Sequence, residues 1–275
     1  MGTPIRSVKV VSDGRRQKLK QETEELLVRH GLKLSNNPQL IIVLGGDGLF
    51  SYYARTTDLP LLFVGLRGKE PTASRAFLAD IEYSELEDAI ELLKSGRYRL
   101  EFHPRLHALV NGKSKGTSMT DVYLEKAREP GCLRMRVEVY GPVNYIDFVI
   151  ANGVIVTTPL GASGYYSYPD RISGDEVNVK GRAYLPAGSL GISYILPTYT
   201  LRQGSNTHPL RYSIPDSCTV VLKLLREGDA RLYGVGKAFR GYPVGMDDVV
   251  SITLYDKPAM LVRLGLERLD ANKNK

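Results

Sequence analysis

The chain has 275 residues but no tryptophan, only two cysteines and four histidines. Cys132 and Cys218 are too few for a disulfide framework and have no metal-ligand spacing. The expectation is a reduced, cytoplasmic protein. The histidines (His30, His103, His107 and His208) do not gather with acids or cysteines. His103 and His107 stand four apart, but Pro104 lies between them in a strand-like stretch, so no metal site built from a side-chain cluster is expected. No apolar run approaches the roughly 20 residues of a membrane-crossing helix. The opening "MGTPIRSVKVVSDGRR" lacks the charged-then-apolar order of a secretory leader, and Ser7 falls one place beyond a myristoylation motif. Repeats and low-complexity segments are also missing. These absences leave an ordinary globular composition, 43% hydrophobic and 24% charged, with no membrane partner expected. The net charge of +7 suits solubility or attraction for anions such as nucleotides and polyphosphate. Its lysines and arginines are scattered, so no nucleic-acid partner is expected.

The first hundred residues alternate strand and helix signals. "VKVVS" (8–12), "LIIVL" (40–44) and "LPLLFVGL" (59–66) read as strands, the last two apolar enough to be buried on both faces. Residues 14–30 read as a helix with Leu19, Thr23, Leu26, Leu27 and His30 on one face and Gly31 as its stop. Ser84 and Glu87 read as a capping box opening a helix over 85–96. This alternation predicts a parallel α/β sheet. Beyond residue 98 the stretches are short, β-rich and alternating, divided by turns such as Asn111-Gly112, Gly141-Pro142 and Asn152-Gly153. The expected fold class is α/β plus β: a Rossmann-like α/β domain over 1–97 and a mostly antiparallel β domain over 98–275. A return of the extreme C-terminus to the first domain is left open.

Two segments carry chemistry. In "LIIVLGGDGLF" (40–50) a buried strand stops at Gly45-Gly46, followed by Asp47 and Gly48. Ligands of an open parallel sheet bind beyond the carboxyl ends of its strands. Glycines there let phosphates approach backbone N–H groups. A tight turn explains the same four residues equally well. In "ANGVIVTTPLGASGYYSY" (151–168) a β-branched strand runs into a loop of small residues and hydroxyls ending in Tyr165. Small residues make room for a flat ligand, and hydroxyls reach phosphate and ribose oxygens.

Together the two segments resemble the signature of the NAD kinase family, a GGDG turn and, about a hundred residues on, a strand reading roughly DG-apolar-apolar-x-(S/T)-T-P-x-G-(S/T)-(S/T)-A-Y. Lesser likenesses follow in order. "RYRLEFHPRLHAL" (97–109) resembles the strand opening the family's β domain, with Arg105 in its arginine position. "ISYILPTYTLRQGSNTHPLRYSIPDS" (192–217) resembles its Pro-centred strand and loop. The likeness spans roughly residues 40–260. It implies transfer of a phosphoryl group from ATP or polyphosphate, with Mg²⁺, to the 2′-hydroxyl of the adenosine ribose of NAD. It also implies that Asp47 is the base for that hydroxyl, that Gly45, Gly46 and Gly48 admit the phosphates, and that Thr120, Asp121, Asn152, Thr158, Ser163, Gly164 and Tyr165 bind the nucleotide. Family habit adds a homo-oligomer, dimer or tetramer. Arg67, Lys69 and Arg75 follow a parallel strand at its ligand-binding end and read as solvated charges or as a clamp on donor phosphates.

The departures concern the acceptor. The family's Asn-Glu pair is here Thr120-Asp121, its acid before the second-motif glycine is Asn152, and its late Asp-Gly-Gln turn is Gly-Val-Gly-Lys (234–237). Two further expectations therefore stand beside NAD kinase: a kinase of the same fold acting on another hydroxyl (nucleoside, sugar or lipid), and a non-catalytic nucleotide-binding sensor. Asp47 separates the last, since a sensor has little use for a base.

Overall fold

The computed structural model describes residues 2–66, 76–169 and 185–265. Arg67, Lys69 and Arg75 lie outside the described residues. The chain divides into two compact units, one up to Phe102 and again from Ala259, the other His103–Pro258.

The first unit holds strands β1 (Ser7–Ser12), β2 (Lys33–Leu34), β3 (Leu40–Gly45), β4 (Leu61–Gly65), β5 (Ile81–Glu82) and β6 (Arg99–His103), with helices α1 (Gln17–Arg29), α2 (Asp47–Ala54) and α3 (Leu86–Lys94). The sheet order is β2-β1-β3-β4, then the Ala259–Arg263 strand, then β6, with β5 beside β4. The pairs β1–β3 and β3–β4 are parallel, and the Ala259–Arg263 strand joins β4 in parallel at Leu261 and Leu61. The continuous apolar run of β3 follows from covering both faces. Leu40, Ile42 and Leu44 share a core with Leu27 of α1 and with Leu86, Ile90 and Leu93 of α3. On the opposite face Phe63 of β4 stacks on Phe50 of α2, with centroids 4.5 Å apart. Full burial of each such side chain is worth about 1.5–3 kcal/mol. In α1, Thr23 and Leu27 are the fully buried positions.

The start of α3 corrects the expected cap. The reciprocal pair is Glu82 with Glu85, the Glu82 N–H donating to Glu85 Oε2 at 2.6 Å. A 3-10 turn over Tyr83–Glu85 precedes α3 and moves the first unpaired amides two residues upstream of Ser84.

The second unit is a β-sandwich. Its strands are β7 (Leu106–Val110), β8 (Lys113–Ser118), β9 (Asp121–Lys126), β10 (Leu133–Tyr140), β11 (Tyr145–Ala151), β12 (Gly153–Thr157), β13 (Ser189–Ile195), β14 (Tyr199–Arg202), β15 (Arg211–Pro215), β16 (Thr219–Leu224), β17 (Ala230–Tyr233), β18 (Tyr242–Val244) and β19 (Val249–Leu254). One sheet runs β14-β11-β10-β16-β19-β7-β8, the other β15-β13-β12-β9-β17-β18. Alternate residues of both, such as Met135, Val137 and Val139 against Val122, Leu124, Val154 and Val156, form one core. The β7–β8 hairpin turns on Asn111 and Gly112, both at positive φ, as a two-residue mirror-image turn requires. The step from β11 to β12 changes sheets at Asn152, whose N–H donates to Ile195 O at 2.8 Å. At one place the core is polar. Asp147 is fully buried, accepting from the hydroxyls of Tyr194 and Tyr212 at 2.7 Å each and from Arg202 Nε at 2.8 Å. The Arg202 guanidinium lies over the rings of Tyr145 and Tyr212. This cluster ties β11 and β14 of one sheet to β13 and β15 of the other.

Candidate active site

In the first unit, the GGDG turn sits where β3 ends. Gly46 is extended (φ −125, ψ 179) and caps α2 without a side chain, so α2 begins at Asp47 itself. A carboxylate in the first helical turn complements the helix dipole. Both its oxygens are engaged: Oδ1 accepts from the Leu78 N–H at 2.8 Å and Oδ2 from the Phe77 N–H at 3.1 Å. An ionised carboxylate has about four acceptor positions. Two amide bonds therefore fix its plane. A Cβ on Gly48 would meet nothing within 4 Å. Internal packing thus does not require glycine there.

In the second unit, the signature loop is locked onto the start of β9. The Thr158 N–H and the Thr157 hydroxyl both donate to the Thr120 carbonyl, at 2.8 and 3.1 Å. The Thr158 hydroxyl donates to Met119 O at 2.7 Å, and Thr158 is wholly buried. The loop then makes two 3-10 turns, Pro159–Gly161 and Tyr165–Ser167. A Cβ on Gly161 would lie 2.5 Å from Thr157 Oγ1 and 2.6 Å from Thr120 O, so only glycine allows this approach. The Gly-Val-Gly-Lys turn packs here too. Gly234 has φ +82, and a Cβ on it would lie 2.2 Å from Asp121 O.

Thr120, Asp121, Thr158, Ser163, Gly164 and Tyr165 thus belong to one end of this sheet. Asn152 does not. In the register Thr157 faces Asp121 while Gly153 faces Glu125, so Asn152 lies past the opposite end of β12. Its side-chain oxygen faces Cys132 Sγ at 3.7 Å. Arg105 is buried as well, its Nε donating to Lys257 O at 2.8 Å and its guanidinium lying over the Tyr255 ring.

Tyr165 is half exposed (50%) and meets the Tyr123 ring edge-on, with centroids 5.5 Å apart. Tyr123 in turn stacks on Tyr233 at 5.3 Å. Burial pushes the Tyr165 hydroxyl above its ordinary pKa, and the charges of Glu125 and Asp121 push the same way. Tyr123, Glu125 and Tyr233 were not singled out by motif. For Tyr123 and Glu125 the signal is the alternation in "DVYLEK", which sends Asp121, Tyr123 and Glu125 to the outer face of β9 and Val122 and Leu124 to the core, and for Tyr233 it is the same alternation in "ARLY".

Among the described residues, no three His, Cys, Asp or Glu side chains gather as a metal cage. Among the described residues, no helix is long and apolar enough to cross a membrane.

No family model matches the chain. It is 31% identical to the NAD kinase of Methanopyrus kandleri over 129 residues, 46% of this chain and 44% of that protein. The chain thus aligns with less than half the length of this curated relative. Among solved structures, the yeast NADH kinase complexed with NADH matches 95% of this chain and 84% of its own, with TM-score 0.68 and 16% identity. An NAD kinase from Archaeoglobus fulgidus in complex with ATP matches 93% of this chain and 92% of its own, with TM-score 0.62 and 18% identity. The resemblance to the NAD kinase family therefore holds at two levels, in sequence over 46% of the chain and in fold over nearly all of it.

Proposed function

We propose that the protein is an NAD kinase, transferring a phosphoryl group from ATP or polyphosphate to the 2′-hydroxyl of the adenosine ribose of NAD to make NADP. The observation that carries this reading is Asp47, a carboxylate held by two backbone amides at the end of a parallel strand. Phosphoryl transfer is mostly positioning and charge neutralisation, with one group orienting or deprotonating the nucleophile. Asp47 takes that role. Gly45, Gly46 and Gly48 admit phosphate, and Arg67, Lys69 and Arg75 supply donor-phosphate charge. Asp121, Ser163, Gly164 and Tyr165 contact the acceptor dinucleotide. Thr120 acts through its carbonyl and Thr158 through its buried hydroxyl, both fixing the loop. Asn152 acts apart from that cluster. Mg²⁺ would arrive on the donor's phosphates, as this ion commonly does. Bound there, it would neutralise phosphate charge. A homodimer or homotetramer in a reducing, cytoplasmic setting completes the reading.

One observation favours a second reading, a kinase of this fold with another hydroxyl acceptor: Thr120-Asp121 and the turn at 234–237 depart from the family pattern at the acceptor side. Incubation with NAD, Mg²⁺ and either ATP or polyphosphate, followed by detection of NADP, tests both. NADP formation supports the first reading. Nucleotide turnover only with another acceptor supports the second.

A further inference from the structure

The amides that hold Asp47 belong to a short turn, and that turn is anchored at both ends. It opens at Ala76, which is wholly buried and has φ +46. A residue with a Cβ keeps such a left-handed backbone only where its surroundings impose it. The Ala79 N–H closes the turn on the Ala76 carbonyl at 3.2 Å. Between these two, Phe77 and Leu78 give successive N–H groups to the two oxygens of Asp47. The turn packs directly on β4. A Cβ on Gly65 would lie 2.9 Å from the Ala79 Cβ and 3.2 Å from the Ala76 Cβ.

The other anchor is Asp80. Its N–H donates to the Phe63 carbonyl of β4 at 3.0 Å. Its side chain, only 12% exposed, reaches the end of the returning Ala259–Arg263 strand. Oδ2 accepts the Leu264 N–H at 2.9 Å, and Oδ1 faces Arg263 Nη1 at 3.5 Å. Arg263 is held in turn by Glu101 of β6, to which its Nε donates at 2.5 Å. A chain of contacts therefore runs from the returning strand through Asp80 and the turn to Asp47, and every link lies in the first unit. We infer that Asp80 is a positioning residue for Asp47: by tying the turn to the returning strand, it sets the plane of that carboxylate. The inference rests on the reading of Asp47 as the base.

The test compares Asp80→Ala and Asp80→Asn with Val262→Ala, which trims the same strand on the face buried against α1 and α3. Hydrogen–deuterium exchange reads the amides of residues 77 and 78. Assays with NAD, Mg²⁺ and ATP read kcat and KM, and circular dichroism reads folding. Asp80→Ala should speed exchange at both amides about tenfold or more. It should lower kcat on the order of tenfold to a hundredfold while moving the KM for NAD less than about twofold. Asp80→Asn, which still accepts the Leu264 N–H, should keep kcat within about threefold of the wild type. Val262→Ala should lower the melting midpoint and leave both amides and kcat as they are. Exchange unmoved by Asp80→Ala, or moved equally by Val262→Ala, overturns the inference. Should Asp80→Ala not fold, Arg263→Met removes one of its two partners, and unmoved exchange there overturns the inference as well. A wild type that makes NADP and an Asp80→Ala kcat within about threefold of it would overturn the inference and leave the kinase reading intact. A wild type that makes no NADP overturns the kinase reading, while faster exchange confined to the Asp80 variants leaves the placing of Asp47 standing.

Discussion

Replacing Asp47 by asparagine should do two separable things. The carboxylate accepts the N–H groups of Phe77 and Leu78 through different oxygens, at 3.1 and 2.8 Å. Asparagine has one oxygen and one NH₂. In either orientation, one backbone N–H must face another donor. A hydrogen bond to a charged group is worth about 1.5–3 kcal/mol, and the lost charge at the start of α2 adds about 0.3–1 kcal/mol. The expected destabilisation is therefore about 2–4 kcal/mol. At about 2–4 °C per kcal/mol for a chain this size, the unfolding midpoint should fall by at least several degrees. This loss does not change kcat while the protein remains folded. Loss of a general base does, by about 10²–10⁴-fold. Thermal melts and NADP formation at 25 °C on one preparation read the two effects apart. A midpoint unchanged within a degree or so would refute the argument that the amide latch carries energy. A kcat unchanged within about threefold would refute Asp47 as the base.

Other perturbations test the second unit. Asp147→Ala leaves Arg202 between two tyrosine rings without its anion, and should cost about 3–5 kcal/mol in urea unfolding. Gly161→Ala should raise the KM for NAD and lower stability by about 1–3 kcal/mol, because its methyl group meets the Thr120 carbonyl backbone at 2.6 Å. In alkali, Tyr194 and Tyr212 are raised well above the ordinary tyrosine value, by burial first, then Tyr194 by Tyr212 and Asp147, and Tyr212 by Asp147 against the opposing hydrogen bond of Tyr194. Above a pH of about 10 the unfolded chain releases these two protons while the folded chain keeps them, so stability is full below that pH and falls as pH rises. The slope should be about 2.7 kcal/mol per pH unit for the pair, and Tyr194→Phe should halve it in urea titrations at successive pH values. An unaltered slope would refute that sign.

The parallel sheet was legible because each of its signals is local. "LIIVL" is apolar at every position because helices cover both faces, and the run of five says so by itself. Thr23 and Leu27 fall on the buried face of α1 as their spacing predicts. The missed cap at α3 is a failure of the same local reading: Glu82 and Glu85 satisfy the amides two residues earlier, and glutamate is a weaker cap signal than Ser84. The nucleotide loop was legible in its residue types but not in its contacts. Nothing in "TTPLGASGY" says that Thr158 spends its hydroxyl on Met119 O, or that Gly161 exists to clear Thr120 O. Those are facts about neighbours 39 and, for Gly161 and Thr120, 161 − 120 = 41 residues away.

Strand register also alters the weight of the departures at the acceptor. In sequence, Asn152 and Thr120-Asp121 count together as weakened acids of one pocket. In the sheet, Thr157 is opposite Asp121, and Asn152 lies past the far end of the same strand. At about 3.3 Å per residue, Thr158 and Asn152 are separated by roughly 20 Å. Tyr165 itself meets Tyr123, which faces Ile155, so along the strand Asn152 is only about 10 Å from that contact, near the limit of solvent screening. The local balance at the Tyr165 end is set by Asp121 and by Glu125, both of which raise the Tyr165 hydroxyl. The Tyr165 end is therefore acidic, with Asp121 and, two turns of the pleat away on the same face, Glu125.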